Sequence, residues 1–190
     1  MSTPVTGTND QSPVNVPAGI SEGDLLIAVV IVSNPGFYTV PAGWTESAVY
    51  SPWTTYGYKS ALLYKVASAS EPSSYEFGAG IRTGFIMAYR NASSISTVGS
   101  WQLLSGTSMT FTGLAVPEGS MLISVFHDRE NSGTWTSWTA PAGMTERLNA
   151  ESSYWIHCAA ELLNGDSSDR TWSGISGSYF PAAGILFGIS

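Results

Sequence analysis

The sequence predicts an all-β fold, a two-sheet antiparallel β-sandwich of jelly-roll-like kind built from two internally repeated halves. Three observations carry that expectation. Apolar runs of strand length recur every eight to twelve residues or so between turns rich in Gly, Pro, Asn and Asp. No stretch holds an apolar period of 3.6 residues. A worn copy of residues 17–46, PAGISEGDLLIAVVIVSNPGFYTVPAGWTE, also returns at Pro117 as PEGSMLISVFHDRENSGTWTSWTAPAGMTE. The match resumes downstream, where Gly84-Phe85-Ile86-Met87-Ala88 corresponds to Gly184-Ile185-Leu186-Phe187-Gly188. A period of about a hundred residues in two copies is too long and too few for a solenoid.

Taken in order, residues 1–12 are polar and read as a flexible N-terminal arm, able to order against a neighbour. Val14 and Val16 flank Asn15 as a short edge strand before Pro17. Leu25 to Val32 is a strand by its β-branched content, but it does not alternate, so both of its faces are apolar. Such a strand is either a covered central strand or part of a subunit contact. After the Ser33-Asn34-Pro35-Gly36 turn, strands are expected at Phe37–Val40, Trp44–Tyr50, Tyr58–Val66, around Tyr75 and Phe77, and at Arg82–Tyr89. The second half repeats the order at Met121–Phe126, Thr134–Thr139, Met144–Ala150, Tyr154–Leu163, Arg170–Ser173 and Tyr179–Ile189. Between the halves, residues 91–115 read as a bridge of one or two irregular strands, because a free linker would not carry Trp101, Leu103 and Leu104.

Each half alone would bury little core and leave open edges. The expected organisation is therefore one sandwich domain over residues 13–190, with halves at about 16–90 and 116–190 interleaved face to face.

Composition narrows function mainly by exclusion. A net charge of −7 with seven scattered basic residues argues against nucleic acid and against anionic membrane surfaces. Residues 1–13 have neither a basic start nor an apolar core, so no signal peptide is expected. The longest apolar run, Leu25–Val32, is far short of the roughly 20 residues that span a bilayer. Cys158 is the only cysteine, which rules out an intrachain disulfide and fits assembly in a reducing cytoplasm. Its apolar surroundings suit a buried thiol.

The candidates for chemistry are thin. His127, in the cluster His127-Asp128-Arg129-Glu130, reads as a solvated strand end; with His157 on an adjoining strand it could meet a metal, though zinc-type spacing is missing. Asn164 to Asp169 resembles a calcium loop but lacks the closing bidentate Glu, so a hairpin turn is expected. Glu46 and Glu146 are kept in both repeats, yet repeat-related carboxylates fall at opposite ends of a pseudo-twofold fold; accepting hydrogen bonds beside the Pro-Ala-Gly turn is their expected task. No nucleophile elbow or phosphate-cradling loop occurs. The expectation is a protein that is not an enzyme and holds no cofactor or metal.

Aromatic residues take the remaining weight. Trp44, matched by Met144, and Tyr75, near Trp172 in the repeat, belong to the core. Trp53, Tyr56 and Tyr58 cluster in one loop and Trp135 and Trp138 in another. Loop aromatics of this kind cap the ends of a sandwich, pack on a protein partner or stack on sugar rings.

The run Val16-Pro17-Ala18-Gly19, Gly23-Asp24-Leu25-Leu26-Ile27-Ala28, Pro41-Ala42-Gly43-Trp44-Thr45 and Leu63-Tyr64-Lys65-Val66-Ala67 resembles a module of tailed-bacteriophage virion proteins that also occurs in some bacterial surface proteins. The resemblance covers about Pro13 to Asn91, and the second half only through the repeat. It implies a jelly-roll or related sandwich, a place in the virion after assembly in the host cytoplasm, and binding or structural duty without catalysis. Two roles follow: a capsid decoration (cement) protein, or a receptor- or carbohydrate-binding tail-fibre module. With no heptad stalk or collagen-like repeat in the chain, the decoration role is the one expected, with other virion proteins as partners and a homo-oligomer as the assembly; a host surface glycan is the partner under the alternative.

Overall fold

The computed structural model describes residues 6–9, 13–32, 35–50, 58–104, 108–129, 138–152, 155–174 and 182–190. Among the described residues, fifteen strands and one 3₁₀ turn make up the regular structure. The chain divides into two compact units, Met1–Ser94 and Ile95–Ser190, and among the described residues every strand pairing lies within one unit.

In the first unit the main sheet runs β1 (Thr6–Asn9), β7 (Ile81–Tyr89), β3 (Leu25–Val32), β5 (Lys59–Val66) and β4 (Thr45–Tyr50), all antiparallel. A second sheet pairs β2 (Val14–Asn15) with β6 (Ser74–Tyr75). Val14, Tyr75 and Phe77 close over Leu26, Ala28, Val30, Leu63 and Ile86 on one face of the main sheet, giving a two-layer sandwich. β3 is hydrogen-bonded on both sides, and all eight of its side chains are buried. Its doubly apolar sequence is therefore that of a covered central strand. Each such Val, Leu or Ile contributes about 1.5–3 kcal/mol on burial.

The second unit repeats this skeleton. Its main sheet runs β12 (Thr145–Ser152), β13 (Trp155–Leu163), β11 (Met121–Arg129), β15 (Ala182–Ile189) and β8 (Ile95–Val98), with β9 (Gln102–Leu104) also on β15. β10 (Ser108–Phe111) pairs with β14 (Arg170–Ser173) and lays Met109, Phe111 and Trp172 over Leu122, Phe126 and Leu186. The repeat holds to single residues. Leu25 pairs with Val66 and Tyr89, Met121 with Leu163 and Ile189. The register slips at the same place in both, between Glu46 and Ala48 and between Glu146 and Leu148. Pro41-Ala42-Gly43 and Pro141-Ala142-Gly143 are turns closed by Trp44 N–H to Pro41 C=O at 3.1 Å and Met144 N–H to Pro141 C=O at 3.0 Å. Gly43 and Gly143 sit there at φ +82° and +80°, the left-handed position that a type II turn reserves for glycine.

Three expectations change. Thr6–Asn9 is no loose arm: it pairs with β7 and covers what would be an open edge. The stretch between the halves carries three strands where one or two irregular ones were expected: β8 and β9 cover the matching edge of β15, and β10 forms the second layer. The repeat is thus longer than its recognisable sequence, because edge strands need few particular side chains. Phe37–Val40 is not a strand either; Pro35–Phe37 is a 3₁₀ turn, and Thr39 N–H makes one 2.9 Å bond to Phe77 C=O. Of the matching Thr134–Thr139, residues 134–137 lie outside the described residues, and Thr139 bridges to Ser173.

Candidate functional site

Of the five loop aromatics, Trp53, Tyr56 and Trp135 lie outside the described residues. Tyr58 and Trp138 are buried, 5% and 2% exposed. Trp138 stacks edge-on against Phe126 at 4.8 Å, and Phe126 meets Trp172 at 5.0 Å. Gly174 makes room for it: a Cβ there would sit 2.8 Å from Trp138 Cδ2. Tertiary packing decides this, and a turn-rich flanking sequence does not report it.

The ionisable clusters hold turns to strands. Asp24, at the start of β3, takes the Arg90 guanidinium (Nε–Oδ1 3.2 Å) and the Ser21 N–H (2.8 Å), while Arg90 also donates to Gly19 C=O at 3.3 Å. Burial pushes the Asp24 carboxyl up, but these hydrogen bonds outweigh it and hold it below the usual carboxylate range. Lys65 on β5, Glu71 in the following turn and Tyr75 on β6 form a buried triad. Lys65 Nζ lies 2.9 Å from Glu71 and donates to the Tyr75 hydroxyl at 2.6 Å, and that hydroxyl donates to Glu71. Burial raises Glu71, yet donors from Ser68, Tyr75 and Lys65 bring it down to about 2. Burial and the Glu71 carboxylate push the Tyr75 hydroxyl up, so it stays protonated. In the second unit Arg147 pairs with Glu161 (Nε–Oε1 2.7 Å), and Arg170 with Asp166 at 2.6 Å.

The remaining candidates take structural places. His127 is 1% exposed, not a solvated strand end, because β11 continues to Arg129. It stands directly opposite His157 in the β11–β13 register, and the Trp101 ring lies 6.3 Å from its own. Cys158 occupies β13 opposite Phe126. Asn164 Oδ1 accepts from Gly119 N–H, Asp166 from Ser168 N–H and Asp169 from Gly113 N–H, so the loop that resembles a calcium site spends these oxygens on backbone N–H groups, one within the loop and two in the segment 113–119. Among the described residues no three His, Cys, Asp or Glu converge as metal ligands. Glu146 accepts from Asn149 at 3.2 Å, close to its sequence-predicted task.

Two surface features remain. An open cleft of about 320 Å³ in the second unit is lined by Gly99, Ser100, Gln102, Phe111, Thr112 and Leu114 among others, with no charged side chain. In the first unit, Tyr38 leans from the core to the β4 edge and donates to Glu46 at 2.7 Å. Lys59 Nζ lies 3.9 Å over the Tyr38 ring and 3.5 Å from Glu46. Burial and donation to Glu46 raise the Tyr38 hydroxyl well beyond its ordinary range, so it does not ionise. Around this neutralised pair stand Phe37, Val40 and Val49, exposed by 58%, 41% and 38%. Val49 pairs with Ala61, two residues from Lys59 on the same face of the sheet. The corner offers an apolar contour and no nucleophile. The sequence reading missed it because its residues come from a turn and an edge strand that no motif joins.

No family model, no curated protein and no solved structure matches the chain.

Proposed function

We propose that the chain is a non-enzymatic bacteriophage virion structural protein, a decoration protein that binds the capsid exterior. The observation that supports this most is how the ionisable side chains are used. Asp24 with Arg90, and Lys65 with Glu71 and Tyr75, secure turns against strands, while the first unit turns an apolar corner outward. Groups so engaged suit a rigid body that works through its contours. The sequence resemblance to virion modules adds its weight, and the residues that carry it, Pro41 to Trp44 and Leu63 to Ala67, belong to that same unit.

The test is co-sedimentation of purified chain with capsids of the encoding phage assembled without it. Binding should saturate at a fixed ratio to the capsid subunit and raise the temperature at which the shell dissociates. Failure to bind sinks the reading. Binding to host surface glycans that is lost in Trp53→Ala would replace it with the receptor-binding role.

A further inference from the structure

We infer that Asn164-Gly165, in the turn after β13, is a site of spontaneous deamidation, assisted by the Gly119 N–H that points at the amide oxygen on which charge develops. It is the only Asn-Gly pair in the chain.

The fold asks for both residues for reasons of shape. Asn164 stands at φ +54°, a left-handed position that asparagine tolerates better than most side chains. Gly165 is buried, and a Cβ there would lie 2.4 Å from Leu122 Cβ, so no side chain fits. Packing thus sets, directly after an exposed asparagine, the residue that hinders its own backbone nitrogen least.

The two copies differ in the aim of one donor. Ala67 and Asn164 are matched: their N–H groups reach Asp24 C=O at 2.8 Å and Ser120 C=O at 2.9 Å. In the first copy Gly23 N–H goes to the main-chain carbonyl of Ala67 at 2.9 Å. Its counterpart, Gly119 N–H, goes instead to the side-chain Oδ1 of Asn164 at 2.7 Å.

The reaction needs only water. The Gly165 nitrogen attacks Asn164 Cγ while its proton passes to water, and the carbonyl π pair moves onto Oδ1. When that pair returns, the Cγ–Nδ2 bond breaks; Nδ2 takes a proton from water and leaves as ammonia, and a cyclic imide remains. Water then opens the imide at Cγ to give aspartate, or at the Asn164 main-chain carbonyl to give isoaspartate. Nothing is oxidised or reduced. Negative charge gathers on Oδ1 along the way, and Gly119 N–H already stands where an oxyanion-hole donor would. In the isoaspartate form the main chain runs through Cβ and Cγ and is longer by a carbon. The bonds on either side, Asn164 N–H to Ser120 C=O and Val116 N–H to Gly165 C=O at 3.2 Å, cannot then both be kept.

The test is peptide mapping by mass spectrometry of the purified chain held in neutral buffer, either folded or unfolded by urea. Asn164 should convert about tenfold faster in the folded chain, less than one oxyanion donor supplies because folding also restrains the backbone. It should run well ahead of Asn91, which shares the left-handed backbone at φ +60° but precedes Ala92. The isoaspartate fraction should exchange its Val116 amide faster than the parent. If Asn164 converts no faster folded than unfolded, or if Asn91 keeps pace with it, the inference is overturned. Asn164→Gln, which enlarges the ring to be closed, should leave the turn unconverted; conversion there at the parent's rate would also overturn it. The folded and unfolded parent need no substitution, so a variant that fails to fold does not spare the claim.

Discussion

The two units share a skeleton down to the bulge between Glu46 and Ala48 and between Glu146 and Leu148, yet they stabilise it with different chemistry. The first unit closes its end with Asp24 and Arg90, where the second has Ser120 and Ser190. The second ties β12 to β13 with Arg147 and Glu161, where the first has Ser47 and Tyr64. Asp24–Arg90, Lys65–Glu71 and Arg147–Glu161 are each present or absent as a pair, whereas the more exposed Lys59–Glu46 is not: the second copy keeps Glu146 but has Ile156 in place of Lys59. Desolvation explains this: a buried pair nearly breaks even against neutral residues, but a buried charge without its partner costs several kcal/mol. Over the core, the first unit relies on the Lys65–Glu71–Tyr75 triad and the second on Trp172, whose indole N–H donates to Ser124 at 2.8 Å. The backbone plan is thus the conserved quantity within this molecule, and the polar ties are interchangeable.

That comparison can be broken most severely at the triad. Lys65→Met leaves Glu71, whose side chain is 3% exposed, without its cation; calorimetry should show a loss of about 3–5 kcal/mol. In the second unit Arg147→Met strands Glu161 in the same way, but Arg147 is a quarter exposed and water compensates in part, so about 2 kcal/mol is expected from the same measurement.

Acid should sharpen the contrast. Glu71 is held at about 2 against an ordinary 4.5. A lowered folded-state value means stability that is fully present above pH 4.5 and lost as pH falls toward 2, here on the order of 2 kcal/mol. Denaturation followed between those pH values should show this loss in the parent chain and a flatter acid limb in Glu71→Gln. A flat limb in the parent would show that the triad does not form.

The exchange of pairs gives a milder test. Arg90→Ser alone should cost about 1.5 kcal/mol by leaving Asp24 buried and uncompensated, whereas Asp24→Ser with Arg90→Ser, which writes in the second copy's residues, should return within about 1 kcal/mol of the parent. The smallest expected effect is at Ser124→Ala, about 1 kcal/mol for the unmatched indole N–H of Trp172.

Much of the skeleton was legible in the sequence. Leu25–Val32 announced a strand buried on both faces, as a covered central strand or a subunit contact, and Pro-Ala-Gly announced a turn in each copy. The recurrence at Pro117 gave the matching order of strands. What stayed hidden depends on tertiary packing. Thr6–Asn9 and Ile95–Val98 have little strand signature, because an edge strand is specified by the backbone it covers. His127 looked like a solvated strand end, since one polar cluster cannot reveal that the strand continues through it. Tyr58 and Trp138 looked available because sequence shows that a ring follows a loop but not which way it turns. The outward corner was invisible for the converse reason: Val49 reads as one more strand residue until its edge position is known.

Hydrogen exchange read strand by strand tests the shared skeleton most directly. β3 and β11 are each bonded on both sides within their own sheet, so Leu25–Val32 and Met121–His127 should be the slowest amides in their units, with β4 and β12 exchanging early in both. If β11 exchanges as fast as its edge strand while β3 stays protected, the second half does not hold the fold of the first, and the comparison between them fails.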